Sequence, residues 1–182
     1  MKKIAIALLA FAAMTAQAAN YVQVEQENVK GRQGAGGSSV SYLRAGKDLG
    51  NYSLGFQART ARFDAGGTAS SLETTLSNKN VSLFGITPFI GAGHDFGGDA
   101  TRPSYNYGLV GATAGAKVGP GFAMAGVKTR VGSSETVNTK QTVTFVSYAV
   151  PVAKDVSVNV GASRSSQDIK EKGVSVGVSF GF

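Results

Sequence analysis

Apolar and polar residues alternate strictly along the last residues of the chain. Valine or phenylalanine occupies every even position from 174 to 182, and serine or glycine occupies the odd positions between them. Since successive side chains of a β-strand point to opposite faces, the two sets predict one apolar and one small polar face. Residues 156–163 repeat this pattern, and the polar, charged stretch 165–172 between the two segments predicts a loop.

The same test predicts ten strands along the chain. They are residues 20–31, 37–46, 51–63, 70–77, 80–94, 103–118, 121–131, 139–151, 155–165 and 173–182. Most are long enough to cross a membrane, which takes roughly 9–11 residues per tilted strand. The second strand is irregular and the fourth is short, so eight strands remain an alternative. Pro88 lies inside the fifth strand and predicts a β-bulge there, because a closed barrel has no free edge for a residue without an N–H.

Short and long connections alternate along the chain. The short ones are residues 46–50, 77–80, 119–121 and 153–155, and the longer polar ones are 31–37, 64–70, 95–103, 132–138 and 165–172. Outer-membrane barrels have this asymmetry, with short periplasmic turns and longer outer loops. The pattern predicts an all-β fold, a closed antiparallel up-and-down transmembrane β-barrel with an even strand count and both termini on the periplasmic side.

A soluble antiparallel sandwich is the rival interpretation, because its strands also alternate between a buried and a solvated face. Three features favour the membrane barrel: an apolar set of mostly valine and alanine, an opposite set rich in glycine and serine, and a final phenylalanine. Aromatic residues near the strand ends predict two belts at the lipid–water boundaries. The predicted belts are Tyr21, Tyr52, Phe122, Tyr148 and Phe182 at one end, and Phe63, Phe96, Tyr105 and Tyr107 at the other.

The first 18 residues have the order of a secretory signal peptide. Two lysines precede an apolar stretch that ends in Ala16-Gln17-Ala18. The stretch is too short to span a bilayer as a helix, which takes roughly 20 residues. We therefore predict a cleaved signal at 1–18 and a barrel at 19–182, with a retained N-terminal anchor as the alternative.

This signal and the terminal run of residues 173–182 resemble those of small Gram-negative outer-membrane β-barrel proteins, the porin-like and OmpA-like group. The resemblance implies a location in the outer membrane and contact with its lipid. It also implies that the barrel assembly machinery recognises the last strand during biogenesis. The residues that would form this assembly signal are Val174, Val176, Val178, Phe180 and Phe182.

Charged residues of the opposite parity are predicted to face the lumen, because a lysine or arginine facing lipid at mid-depth costs about 2–4 kcal/mol. The set holds three acids and five bases, a surplus that would favour small anions in an open lumen. Its members are Glu25, Glu27, Arg59, Glu73, Lys117, Lys128, Arg130 and Lys140, where Lys140 is assigned the parity opposite to Val143 and Phe145.

Three functions follow from the sequence: a narrow passive pore for small solutes or ions, a structural barrel with a filled lumen that packs with copies of itself or other envelope proteins, and an enzyme at the outer rim. Barrels of about eight strands are filled by side chains, so ten strands favour a plugged or very narrow lumen. The formal charge of +7 is scattered along the chain, which is not the clustered pattern of a nucleic-acid binder.

The residues offer little for catalysis or metal binding. His94 is the sole histidine and Asp95 follows it, but adjacent strand residues point to opposite faces and cannot act together. Asp95 and Asp99 would hold at most a weakly bound calcium ion, and there is no His/Cys cluster. We expect no enzyme activity, no cofactor and no metal.

Overall fold

The computed structural model describes residues 21–30, 36–82, 85–97, 103–133, 138–166 and 171–182. The predicted signal peptide at 1–18 lies outside these residues. The elements are β1 Tyr21–Lys30, β2 Ser38–Leu49, β3 Tyr52–Phe63, β4 Thr68–Asn78, the 3-10 helix η1 Lys79–Val81, β5 Ile86–Asp95, β6 Tyr105–Val118, β7 Gly121–Ser133, β8 Asn138–Ala153, β9 Val156–Ser166 and β10 Lys172–Gly181. No helix in the described ranges is long and apolar enough to cross a membrane.

The ten strands form one closed antiparallel barrel in which each strand pairs with its sequence neighbours. β1 and β10 close the ring, in a register that runs from Tyr21 opposite Gly181 to Lys30 opposite Lys172. This confirms the predicted fold class, and neither the eight-strand alternative nor the two-sheet sandwich is correct. A closed ring pairs every strand on both sides, which is how backbone polar groups are satisfied without an open edge.

The ends of the barrel differ in their connections. At one end, which we call the short-turn end, two-residue turns join β2 to β3, β6 to β7 and β8 to β9. Gly50 and Gly119 have positive φ angles of 76° and 56°, and Asp155 has a φ of 60°. Two-residue hairpins need such left-handed residues because their twist then matches that of the strands. The connection from β4 to β5, which contains η1, also lies at the short-turn end, since Asn78 pairs with Tyr52. The opposite end, the loop end, has the other five connections, which follow β1, β3, β5, β7 and β9.

Two predictions for β5, a bulge at Pro88 and a start at residue 80, differ from the structure. The register of β5 with β6 runs through Pro88 without a shift, so the predicted bulge is absent. The pairing of β5 with β4 ends at Phe89 opposite Ser77, and Pro88 therefore lies where β4 no longer needs a donor. The register shift lies between Pro151 and Ala153 in β8 instead. β5 starts at Ile86 rather than 80, because η1 lies in its connection to β4.

The outer wall carries the exposed apolar side chains. Val174 and Val176 of β10 are 68% and 56% exposed, and Val178 and Phe180 share their parity. Tyr52, Phe96 and Phe182 are also exposed, as expected of rings at a lipid boundary. Tyr107 is only 5% exposed, however, and lies inside the barrel. The predicted aromatic belts are thus only partly formed, because several rings fill the interior instead.

Candidate functional site

The interior of the barrel holds a cavity of about 450 Å³. Its lining extends from Tyr21 and Ser77 near the short-turn end to Ser165 and Glu171 near the loop end. Because residues of all ten strands line the cavity, it follows the barrel axis and could bind or pass a solute.

Glu73 contacts four polar side chains inside the barrel. Its side chain is 3% exposed and forms ion pairs with Lys128, at 2.8 Å, and with Arg130. It also accepts hydrogen bonds from the Tyr107 hydroxyl and the Gln57 amide, each at 3.1 Å. We call Glu73, Lys128 and Arg130 the central ion cluster. A carboxylate with several donors of this kind is held firmly, because each charge-assisted hydrogen bond is stronger than a neutral one.

The central ion cluster crosses the lumen. Glu73 belongs to β4 and the two cations to β7, with β5 and β6 between these strands. Glycines lie opposite two members of the cluster, Gly93 opposite Glu73 and Gly111 opposite Lys128. A Cβ added to Gly93 would collide with the Tyr107 ring, and one added to Gly111 would collide with the Phe89 ring. Part of the glycine content of the strands is explained here, since these positions make room for rings that pack beside the cluster.

A second group of polar contacts continues from this cluster toward β1. Arg44 forms an ion pair with Glu25, and its Nε donates to the side-chain amide oxygen of Gln57 at 2.9 Å. Gln23 donates to Glu25 at 2.6 Å. Because Gln57 bonds both Arg44 and Glu73, the polar groups of β1 to β4 form one connected network. Arg44 also stacks over the Tyr42 ring, with 4.4 Å between its guanidinium carbon and the ring centroid.

The loop end of the cavity has its own charged group. Glu27, 6% exposed, accepts hydrogen bonds from the Tyr42 hydroxyl at 2.6 Å and from Ser163. Arg59 and Glu171 line the cavity beside it. Burial raises the pKa of the Glu171 carboxyl above its usual value, and the Arg59 guanidinium opposes this rise. This mouth of the cavity thus contains a carboxyl that takes up a proton more readily than a free glutamate.

Aromatic and aliphatic side chains cover the opposite side of the lumen. We call the lumen-facing residues Phe89, Leu109, Phe122, Met124, Val143 and Phe145, contributed by β5 to β8, the aromatic wall. Its rings pack over glycines of neighbouring strands: a Cβ added to Gly115 would lie 2.6 Å from Phe122, and one added to Gly126 would collide with Phe145. The glycines therefore make room for rings that narrow the lumen.

The remaining side of the lumen is polar. We call the serine, asparagine and glutamine residues that line the cavity on β9, β10, β1 and β3 the polar wall. Its members are Gln23, Ser53, Gln57, Asn159, Ser163, Ser165 and Ser175. From this wall, the Asn159 side-chain amide donates to the Ser179 hydroxyl of β10 at 3.2 Å.

The structure places six of the eight predicted lumen residues in the cavity lining. They are Glu25, Glu27, Arg59, Glu73, Lys128 and Arg130. Lys117 has the same parity as Thr113, which lines the cavity, but it lies exposed at the short-turn end of β6 and outside the lining. Two charged members of the lining were missed, Arg44 and Glu171.

The prediction for Lys140 is wrong. Gln141, Val143 and Phe145 of β8 line the cavity, so Lys140, one residue from Gln141, lies on the outer face. It is exposed and pairs with Val131, itself 55% exposed. The error comes from assigning every apolar set to the lipid face, whereas Val143 and Phe145 belong to the aromatic wall.

The observed lining therefore has a different charge from the predicted one. The described cavity lining contains four acids and four bases, which are Glu25, Glu27, Glu73, Glu171, Arg44, Arg59, Lys128 and Arg130. The predicted surplus of bases is therefore absent from the described lining. The arrangement has no net field that would strongly favour ions of one sign.

His94 lies apart from the cavity. Its parity on β5 is opposite to that of Phe89, and its Nδ1 atom lies 2.8 Å from the Asn106 amide oxygen. Asp95 accepts a hydrogen bond from the Gly97 backbone N–H at 2.9 Å. Within the described ranges there is no group of three or more His, Cys, Asp or Glu side chains that could hold a metal ion.

No protein-family model matches the chain, and no curated protein matches it. Solved structures do. The porin NanC has a TM-score of 0.51 and 10% sequence identity, and the match covers 88% of this chain and 100% of that one. Neisserial surface protein A has a TM-score of 0.46 at 11% identity, covering 89% and 96%. A loop-deletion mutant of OmpT, an outer membrane protein of Vibrio cholerae, has a TM-score of 0.42 at 13% identity.

The match to that OmpT mutant covers 88% of this chain but only 62% of the OmpT chain. At these identities the likeness concerns the fold. The chain has the fold of outer-membrane β-barrel proteins, a closed antiparallel ring of ten strands.

Proposed function

We propose that this chain is an outer-membrane β-barrel that acts as a narrow passive pore for small solutes and ions. The observation that carries the proposal is the cavity of about 450 Å³, whose lining extends from Tyr21 near the short-turn end to Glu171 near the loop end. The fold supports the location, because a closed barrel with exposed valines on its outer wall is suited to lipid. In this setting the short-turn end, where β1 begins and β10 ends, faces the periplasm.

The solute path in this proposal follows the polar wall. Hydroxyl and amide groups there exchange hydrogen bonds with water and solute, whereas the aromatic wall offers none and only reduces the cross-section. The central ion cluster restricts this path, because Lys128 and Arg130 of β7 extend over β5 and β6 to Glu73 of β4. Passage is limited to solutes that fit beside these side chains, which excludes large substrates.

Ion selectivity is expected to be weak. The four acids and four bases of the described lining balance, and most of them are paired within the wall. A passing ion of either sign therefore meets partners of both signs. This replaces the anion preference that the sequence predicts.

A structural barrel with a filled lumen is the second candidate. The observation that favours it is again the central ion cluster, whose acid is 4% exposed and hydrogen-bonded from several strands. Such a cluster connects β4 with β7 inside the barrel and would hold the shape of a small barrel. In that case the barrel would act through its outer surface, by packing with itself or with other envelope proteins.

Single-channel recording of the refolded mature protein in planar bilayers separates the two candidates. The pore predicts small, discrete current steps, and a reversal potential close to zero in a potassium chloride gradient. Folding is checked in the same preparation by the shift in gel mobility between heated and unheated samples. Folded protein that gives no steps would overturn the pore in favour of the filled structural barrel.

The last strand has a proposed role in biogenesis. Val174, Val176, Val178 and Phe180 face outward on β10, the strand that closes the ring against β1. An exposed apolar strand end of this kind fits recognition by the assembly machinery. We expect that deleting Phe182 lowers the yield of folded barrel in outer membranes but leaves refolding in detergent unchanged.

A further inference from the structure

Three cations lie side by side on the outer wall at the loop end. Lys30 of β1 is directly opposite Lys172 of β10, and Lys172 is directly opposite Arg164 of β9. All three side chains are exposed. Their neighbours Val29, Gly173 and Ser163 have the other parity, and Ser163 lines the cavity, so the three cations point away from the lumen. We call these three residues the basic row.

The basic row is unfavourable without a partner. Residues directly opposite each other on antiparallel strands have Cβ atoms about 5 Å apart, and like charges in this position destabilise a sheet. Within the described part of the chain, none of the three cations forms an ion pair. The nearest acids along these strands, Glu27 and Glu171, line the cavity on the inner side of the wall. Among the described residues, the row thus presents three positive charges without an acidic partner.

The apolar outer wall begins directly below the basic row. Val174 follows Lys172 on the same face of β10, at 68% exposure, and Val176 and Val160 continue the column at 56% and 52%. A lipid molecule has the matching chemistry, with an anionic head above apolar chains. A soluble anion would match the charges but not the valine column beneath them.

We propose that the basic row binds the phosphate headgroup of an anionic membrane lipid, whose acyl chains lie along the column of Val174, Val176 and Val160. This inference rests on the proposed membrane location but not on the open lumen. The phosphate lies between the three cations and removes their mutual repulsion. The lipid is therefore held at one position on the barrel, at the junction of the first and last strands, where the ring closes.

Fluorescence quenching by brominated lipids tests this proposal. The chain has no tryptophan, so Val174→Trp gives a single reporter next to the basic row, and Val110→Trp gives one on the far outer wall, where Val110 is 58% exposed. Each protein is refolded into vesicles of phosphatidylcholine with increasing phosphatidic acid, and either lipid carries the bromines. The ratio of quenching gives the relative affinity of the two lipids at each site.

At Val174→Trp we expect phosphatidic acid to be preferred about fivefold, from three cations acting on one phosphate. At Val110→Trp the ratio should be close to one. In the Val174→Trp protein, K30Q/R164Q/K172Q should lower the preference to near one, and Lys172→Gln alone should lower it in part. K47Q/K117Q/K154Q removes the same charge from the short-turn end and should leave it unchanged.

Equal quenching by both lipids at Val174→Trp would overturn the lipid site while leaving the membrane location intact. An unchanged preference in both K30Q/R164Q/K172Q and Lys172→Gln would overturn the role of the basic row. Absence of quenching by either lipid at both tryptophans would contradict the membrane location itself, and the inference with it. These outcomes separate failure of this site from failure of the proposed function.

Discussion

The polar wall and the aromatic wall occupy the inside of the same barrel but fill it in different ways. On the polar side, side chains pair with one another: Arg44 bonds both Glu25 and Gln57, and Gln57 bonds Glu73. On the aromatic side, rings lie over glycines, as Phe145 does over Gly126. The polar side keeps groups that can exchange hydrogen bonds with water, whereas the rings of the aromatic side fill free volume in the lumen. The difference places the groups that can bind water or a solute on one side of the lumen.

The two walls meet at the central ion cluster, and breaking it should have the largest effect. Glu73→Gln leaves Lys128 and Arg130 buried without their acid, which should cost about 3 kcal/mol of unfolding free energy. Urea unfolding in lipid vesicles, followed by gel mobility, measures this. Asp48→Asn removes an exposed acid paired with Lys79 at the short-turn end and should change little. Equal losses in the two variants would show that Glu73 is no more important than a surface acid.

The packing of rings over glycines can be tested within one strand. A Cβ at Gly111 would collide with the Phe89 ring and the Val127 carbonyl oxygen, whereas one at Gly108 meets nothing within 4 Å. Gly111→Ala should therefore destabilise the barrel by about 1–3 kcal/mol through overpacking. Gly108→Ala should stay within about 0.5 kcal/mol of the natural protein. The same urea titration measures both, and similar values would contradict the packing of the aromatic wall.

Charge reversal tests which residues face the lumen. Arg59→Glu changes the described lining from four acids and four bases to five and three, so the pore should become selective for cations. Lys140→Glu makes the same change in charge on the outer face and should leave selectivity as it was. Reversal potentials in a potassium chloride gradient measure both. A shift in reversal potential for Lys140→Glu and none for Arg59→Glu would show the reverse, with Lys140 facing the lumen and Arg59 on the outer wall.

The smallest expected effect is a dependence on pH at the loop end. Burial raises the pKa of Glu171, so this carboxyl takes up a proton at a higher pH than a free glutamate. Protonation removes one negative charge from the lining, and lowering the pH should therefore shift the reversal potential toward anion selectivity. Glu171→Gln should show this shift at neutral pH already and lack its further pH dependence. An identical pH profile in both proteins would contradict a role for Glu171.

The alternation of single strands was enough to predict the ring and most of its inner charges. In β10 the valines and the small residues each keep one parity, so the outer and inner faces were predictable without a structure. β8 shows where this reasoning ends. Phe145 faces inward because Gly126 on β7 leaves room for its ring, and which residue lies opposite depends on the register between strands. One strand alone does not contain that information.

The missed residues have related causes. Arg44 follows Tyr42 and Leu43 in a strand whose polar and apolar positions do not alternate, so no parity could be assigned to it. Glu171 lies before β10 in what the sequence marks only as a polar loop. Pro88 suggested a bulge because pairing on both sides was assumed, whereas β4 stops pairing one residue earlier. In each case the deciding fact is a contact with another strand.

Cysteine accessibility during single-channel recording tests the one-sided pore most directly. The chain has no cysteine, so Ser175→Cys places a single thiol in the polar wall and Val176→Cys places one on the lipid face of the same strand. A charged, membrane-impermeant methanethiosulfonate reagent should reduce the current through Ser175→Cys channels in a single step and leave Val176→Cys channels unchanged. Unaltered current in Ser175→Cys protein, with its thiol shown to be unmodified or modified without effect, would contradict a path along the polar wall.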